Sequence, residues 1–202
     1  MQPLPAPADA SQLLRAFIAV EIGEKVRDAL ESAVKHLRAT PAQVKWVARE
    51  NWHLTVKFLG DVERRSTEDI TRALQEEAAR AQAFNLSVRG LHPFPPGRQP
   101  RIVAAAVFDA AGGLAKLNAR LEERMQLFGV APERRGFQAH LTLGRVNGPR
   151  GQEALWKALR AFEQQEFGAC GVYEAVLFQS ELLPQGARYT KLAAAQLGHP
   201  AS

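Results

Sequence analysis

One short pattern occurs at two distant places in the chain. His53-Leu54-Thr55-Val56 returns as His140-Leu141-Thr142-Leu143, and both copies run on into further aliphatic residues. In an extended strand, residues i and i+2 share a face. Each copy therefore sets an imidazole beside a hydroxyl, and turns Leu54 and Val56, or Leu141 and Leu143, the other way. A fold that satisfies both copies needs two strands, each with one face in a core and the other free for chemistry. Coincidence is a poor account of the pair. Five histidines and six threonines scattered over 202 residues would give roughly 0.15 such His-x-Thr pairs on a background-composition prior.

The rest of the chain reads as short alternating elements. Residues 14–22 are β-branched and aromatic and read as a strand. Residues 24–38 carry a helical apolar stripe, and Pro41 stops it. A short strand at 44–47 and a turn at 49–51 lead into the first His-x-Thr strand, expected over 52–59 and broken by Gly60-Asp61. Ser66 is placed to cap a helix running to about residue 82. A strand is expected over 84–91. Residues 92–100 read as a loop, because their prolines suit neither a helix interior nor a ladder. A strand over 102–108 precedes a helix with Leu114, Leu117, Leu121, Met125 and Phe128 on one face. The second His-x-Thr strand is expected over 138–146, then a helix over 152–164. One long strand over 172–183 and a hairpin turn at 184–186 lead to a last strand over 188–196. Hairpins in this order argue against a doubly wound parallel sheet. Two strand-and-helix halves, each with one His-x-Thr strand, suggest a pseudo-twofold arrangement. Residues 1–12, rich in Pro and Ala, read as a disordered tail, and 198–202 as a frayed end, with one domain over 13–197.

Composition sets limits on the chemistry. The net charge of +5 suits a polyanionic partner such as nucleic acid, although many soluble proteins carry as much. Cys170 is the sole cysteine, which rules out an intramolecular disulfide and fits a cytoplasmic protein. No apolar run is long enough for a bilayer. Two histidines without Asp, Glu or Cys at motif spacing make an incomplete zinc set, so no metal is expected. No Gly-x-Ser-x-Gly elbow and no glycine-rich phosphate loop is present, so a serine triad and a nucleotide cofactor lack support. Two imidazoles can act as acid and base near neutral pH, one charged and one neutral. Threonine hydroxyls can donate to oxygens held between them. That set suits in-line attack on a phosphodiester. The residues alone do not say which histidine is the acid.

These residues resemble a known family. The two His-x-Thr-aliphatic strands, with Arg15-Ala16-Phe17-Ile18-Ala19-Val20, Trp46-Val47, Asn51-Trp52, Lys57-Phe58-Leu59-Gly60, Gly144-Arg145-Val146 and Gly186-Ala187-Arg188-Tyr189-Thr190-Lys191-Leu192, resemble the LigT-like branch of the 2H phosphoesterase superfamily. That branch holds the RNA 2′,3′-cyclic phosphodiesterases, also called 2′-5′ RNA ligases. The resemblance implies an α+β fold of two pseudo-symmetric antiparallel-sheet lobes, with helices outside and a central cleft carrying one motif from each lobe. It implies a cofactor-free, metal-independent hydrolase that opens 2′,3′-cyclic phosphate ends of RNA, or small 2′,3′-cyclic nucleotides, to 2′-phosphates. His53 would be the acid for the leaving 3′ oxygen, His140 the base for water, and Thr55 and Thr142 the phosphate ligands. The reverse chemistry, with an RNA 5′-hydroxyl in place of water, is 2′-5′ ligation at the same site. An RNA-end binding module with little turnover is the alternative from another class. A monomer is expected, with no membrane partner. Lys57 shares a strand face with His53 and Thr55 by simple alternation, so it could line the cleft or be solvated. Arg145 falls on the opposite parity from Thr142 unless Gly144 bulges the strand, although the resemblance favours it as a phosphate contact. Tyr189 could stack a base or close a sheet edge. Phe17 and Trp46 read as core residues, His36 and His199 as surface residues, and His92 as a loop histidine.

Overall fold

The computed structural model describes residues 12–96, 101–184 and 186–198. The expected tail and frayed end, with His199, lie almost wholly outside these. The elements are β1 (Leu13–Glu21), α1 (Glu24–Arg38), β2 (Val44–Trp46), β3 (His53–Glu63), α2 (Thr67–Ala79), β4 (Phe84–Phe94) and β5 (Ile102–Phe108). They continue with α3 (Gly113–Met125), β6 (His140–Val146), α4 (Gln152–Arg160), β7 (Glu166–Val172), β8 (Glu174–Leu183) and β9 (Gly186–Gln196).

The strands form two antiparallel sheets, in the orders β3-β1-β8-β9 and β2-β6-β5-β4-β7. Set β2 aside and the two match strand for strand: β3 answers β6, β1 answers β5, β8 answers β4 and β9 answers β7. The pseudo-twofold arrangement expected from the repeated motif is therefore present in the topology. The helices follow it. α2 and α3 pack on the first sheet, against β8, β9 and β3, whereas α1 and α4 pack on the second, against β7 and β4. So α1 leaves β1 to cover the opposite sheet, and α3 leaves β5 to do the same. The apolar stripes explain this placement. Val26, Leu30, Val34 and Leu37 of α1, and Leu114, Leu117, Leu121 and Met125 of α3, are all buried in one continuous core. A second, small cluster of Phe17, Ala19, Val176 and Phe178 lies apart from it on the first sheet.

Several boundaries differ from the sequence reading. β3 does not stop at Gly60-Asp61, because Gly60 adopts φ 71° and keeps its pairing with Ala16 while the strand bends. Ser66 makes no capping bond to α2; a 3-10 turn over Arg64–Ser66 already holds it in helical angles. The cap that works is at α3, where the Asp109 carboxylate accepts from the Leu114 amide at 2.7 Å and the Ala111 amide at 3.2 Å. His92-Pro93-Phe94 is strand rather than loop. β7 has already left β4 at Arg89, so Pro93 sits where β4 pairs on one side only and its missing N–H is not needed. The strand expected over 172–183 is β8, and the strand before it, β7, went unread because its glycines at 168 and 171 weakened the signal. Finally, β2 and β3 do not pair. β2 joins the far edge of the second sheet, with Trp46 opposite Gly144 and packed against the core.

Candidate functional site

His53 opens β3 and His140 opens β6, and the two rings are held alike. Nδ1 of His53 lies 2.8 Å from the Asn51 carbonyl, and Nδ1 of His140 lies 2.8 Å from the Gln138 carbonyl. A carbonyl oxygen only accepts, so Nδ1 carries the hydrogen in both rings. Nε2 is then free to accept a proton or, in the charged ring, to give one. Nε2 of His53 is 3.1 Å from Thr55 Oγ1, the same-face pairing expected from strand alternation. An aromatic ring backs each imidazole. Phe17 stacks on His53 at 4.8 Å, and Phe94 stacks on His140 at 4.2 Å. The residues opposite Thr55 and Thr142 in the ladders are Ala19 and Ala104, both wholly buried, whose small side chains leave room for these stacks.

Beyond the threonines, simple alternation fails on both strands, and it fails in the same way. In β3, Ala19 pairs with Thr55 and Ile18 with Lys57, so Val56 is the extra residue of a bulge. In β6, Ala104 pairs with Thr142 and Val103 with Gly144, so Leu143 is the extra residue. Each bulge leaves a carbonyl outside its ladder, and each is met by an outside donor. Asn118 Nδ2 of α3 donates to the Val56 carbonyl at 2.7 Å, and the Val47 amide donates to the Leu143 carbonyl at 2.9 Å. Gly144 lets β2 come this close, since a Cβ there would lie 2.7 Å from Val44 Cγ1 and 2.9 Å from Trp46 Cε3.

The bulges reassign the neighbours of the motif. Lys57 is turned off the cleft face into the core side, 2% exposed, where Nζ donates to Glu122 Oε2 at 2.8 Å and to the Ala131 carbonyl at 3.1 Å. It does not line the cleft. Phe58 takes the cleft face instead, opposite Phe17 and 53% exposed. Arg145, at the same offset from His140 as Phe58 from His53, pairs with Ile102 and so shares a face with Thr142. The bulge that the sequence reading named as the condition for Arg145 is present. Sequence reasoning missed Phe58, and the repeat held the signal: the residue five after each histidine is carried to the site by the same bulge.

Tyr189 of β9 stands edge-on to both Phe17, at 5.0 Å, and His53, at 5.2 Å. It joins the wall around the ring. Burial raises its hydroxyl above the ordinary pKa, and the charge of Arg145 partly offsets that. Burial pushes His53 down to about 4. The Asn51 carbonyl opposes this shift, Arg27 adds to it, Glu21 opposes it and Arg145 adds to it. Arg145 stands on the Thr142 face of β6, the strand that meets β3 of the first sheet. His92 stands on the cleft side of β4, edge-on to Phe94 at 6.3 Å, and burial and then the His140 charge lower its pKa. Among the described residues there is no cluster of three or more His, Cys, Asp or Glu that could hold a metal, and no helix long and apolar enough to cross a membrane. His36 lies outside the site, on the surface of α1.

Known proteins are similar to this chain in sequence and in fold. A profile of the 2′-5′ RNA ligase superfamily matches residues 26–175. The chain is 35% identical over 179 residues to the RNA 2′,3′-cyclic phosphodiesterase of Methanothermobacter thermautotrophicus, covering 89% of this chain and 96% of that one. Its fold is similar to that of a protein from Thermus thermophilus, with TM-score 0.78 and 28% identity over 93% of this chain and 100% of the other. The fold is also similar to that of E. coli LigT complexed with phosphate, with TM-score 0.67 and 22% identity over 93% and 99% of the two chains.

Proposed function

The chain belongs to the 2′-5′ RNA ligase superfamily, and from that premise we propose that it hydrolyses 2′,3′-cyclic phosphodiester ends of RNA to 2′-phosphomonoester ends. Small 2′,3′-cyclic nucleotides would serve the same site. The observation that carries the reading is the matched pair of imidazoles, each with Nδ1 tied to a backbone carbonyl and Nε2 left for proton transfer.

The reaction follows from that pair. Water attacks phosphorus in line with the bond to the 3′ oxygen. His140, neutral, takes the water proton at Nε2 as the new P–O bond forms. The P–O3′ bond breaks, and His53, charged, gives its Nε2 proton to the departing oxygen. The product carries a 2′-phosphate and a 3′-hydroxyl, and the two rings have exchanged charge states. Thr55 and Thr142 donate to the phosphoryl oxygens, and the Arg145 guanidinium offsets the charge that develops on them. The exposed face of Phe58 offers a nucleobase a surface to stack on. No step calls on a metal ion, and one chain supplies every group, so a monomer suffices.

The deciding assay supplies an oligonucleotide ending in a 2′,3′-cyclic phosphate, in EDTA. The expected product is a 2′-phosphate end. No such product, or full rates for both His53→Ala and His140→Ala, would overturn the reading.

A further inference from the structure

A general acid must hold its proton until the leaving oxygen departs, yet burial around His53 works against the charged ring. The charged and titratable groups around this ring come from several elements. β1 brings Glu21, α1 brings Arg27, β6 brings Arg145 and β9 brings Tyr189, with Lys191 of β9 reaching Glu21. β8 adds the apolar Phe178. Glu21 is the carboxylate of this set. It is the direct ladder partner of His53, a relation that puts Cβ atoms about 4.5–5.5 Å apart on one face. Both of its oxygens are held: Oε1 lies 3.8 Å from an Arg27 nitrogen, and Oε2 accepts from Lys191 Nζ. The same position on the other sheet, the ladder partner of His140, is Ala106. The pseudo-symmetry that matches the histidines, threonines and bulges is thus broken at the ladder partners of the two histidines. A fixed negative charge faces one imidazole, and a methyl group faces the other.

We propose that Glu21 is a positioning residue that divides the labour between the two histidines. Its carboxylate favours the charged, proton-donating form of His53 against the surrounding burial, while Ala106 leaves His140 to act as the base. This rests on the phosphodiesterase reading above.

The test follows the His53 ring protons by NMR titration of the full chain, with an activity profile beside it. Glu21→Gln removes the charge and keeps the shape. The His53 midpoint should fall by about half a unit to one unit, and the His140 midpoint should stay where it is. Lys191→Met, at an exposed side chain, should raise the His53 midpoint, because Glu21 then faces the ring unshared. This opposite sign holds whether or not the Glu21 variant folds. In hydrolysis, the alkaline limb of kcat should move to lower pH in Glu21→Gln while the rate on the acid side is kept. A uniform loss at every pH, or a His53 midpoint that does not move or rises, overturns the inference. Absence of hydrolysis by the unaltered protein would instead sink the phosphodiesterase reading, and the titration separates the two failures.

Discussion

Lys57→Met separates two pictures of the strand that carries the first histidine. With the bulge at Val56, Lys57 is a buried ion: its side chain is 1% exposed, paired to Glu122, whose side chain is 20% exposed. Glu122 Oε2 also accepts from the Glu133 amide at 3.1 Å, and Lys57 holds the Ala131 carbonyl, so the pair pins the loop that leads to His140. Methionine nearly fills the volume but leaves the Glu122 carboxylate without its cation and the Ala131 carbonyl without its donor. Breaking a buried pair on one side costs about 3–5 kcal/mol. Here the lower end applies, since Glu122 keeps the Glu133 amide and some water. Lys57→Met with Glu122→Met removes both charges and should cost only about 1 kcal/mol, for the lost loop bonds. The double change should therefore be about 2 kcal/mol less costly than Lys57→Met alone, read from urea midpoints at unchanged m-value. Activity per folded molecule should stay within a few-fold. A single change costing under about 1 kcal/mol, or a double change as costly as the sum of the singles, would refute the buried pair. Near-normal stability with a collapse in rate would mean that Lys57 faces the cleft after all.

Four further outcomes are expected. Phe58→Ala should leave the urea midpoint unchanged and raise KM, by an amount matching the loss of about 1–3 kcal/mol of base stacking, in steady-state assays with nucleotide substrates. Arg145→Lys keeps the charge but loses the two-pronged donor, and should lower kcat by roughly tenfold. Gly144→Ala forces a Cβ against Val44 and Trp46 and should cost about 1–3 kcal/mol, seen as a lower Tm. Burial pushes the His53 pKa down to about 4 in the folded chain, against about 6.5 when unfolded. Because the folded value is the lower, its stabilising share is fully present above pH 6.5 and is lost as pH falls through about 4, a change of about 2–3 kcal/mol. Unfolding free energies from urea titrations at pH 7 and pH 4 should differ by that much less in His53→Gln.

The site was legible where strand alternation holds, and misread where it slips. His53 with Thr55, and His140 with Thr142, lie before the first bulge on each strand, so period-two reasoning placed them together. Lys57 and Phe58 lie after it and exchange faces. A bulge leaves little local mark, because what fixes it is a donor far along the chain: Asn118 for Val56 and Val47 for Leu143. The same distance effect hid the partner of β2. Its neighbour in sequence is β3, but the glycine that admits Trp46 is at position 144. Pro93 misled for a different reason. Proline is excluded from a doubly paired ladder, but β4 is paired on one side only at that point. Helices were read well in existence and less well in extent, since their stripes report burial and not the point where the chain turns away.

The crossing of α1 and α3 has a consequence for how the chain holds together. A cut between residues 96 and 101 would leave an N-terminal piece with β1, β3 and α2 from one lobe, but also α1, β2 and β4 that belong to the other. The remaining piece would be mixed in the same way. Neither piece could close a core alone, and each would expose the apolar face that its missing half covers. The two pieces should therefore be inert apart and recover structure when mixed, and the intact chain should melt in a single cooperative step instead of lobe by lobe.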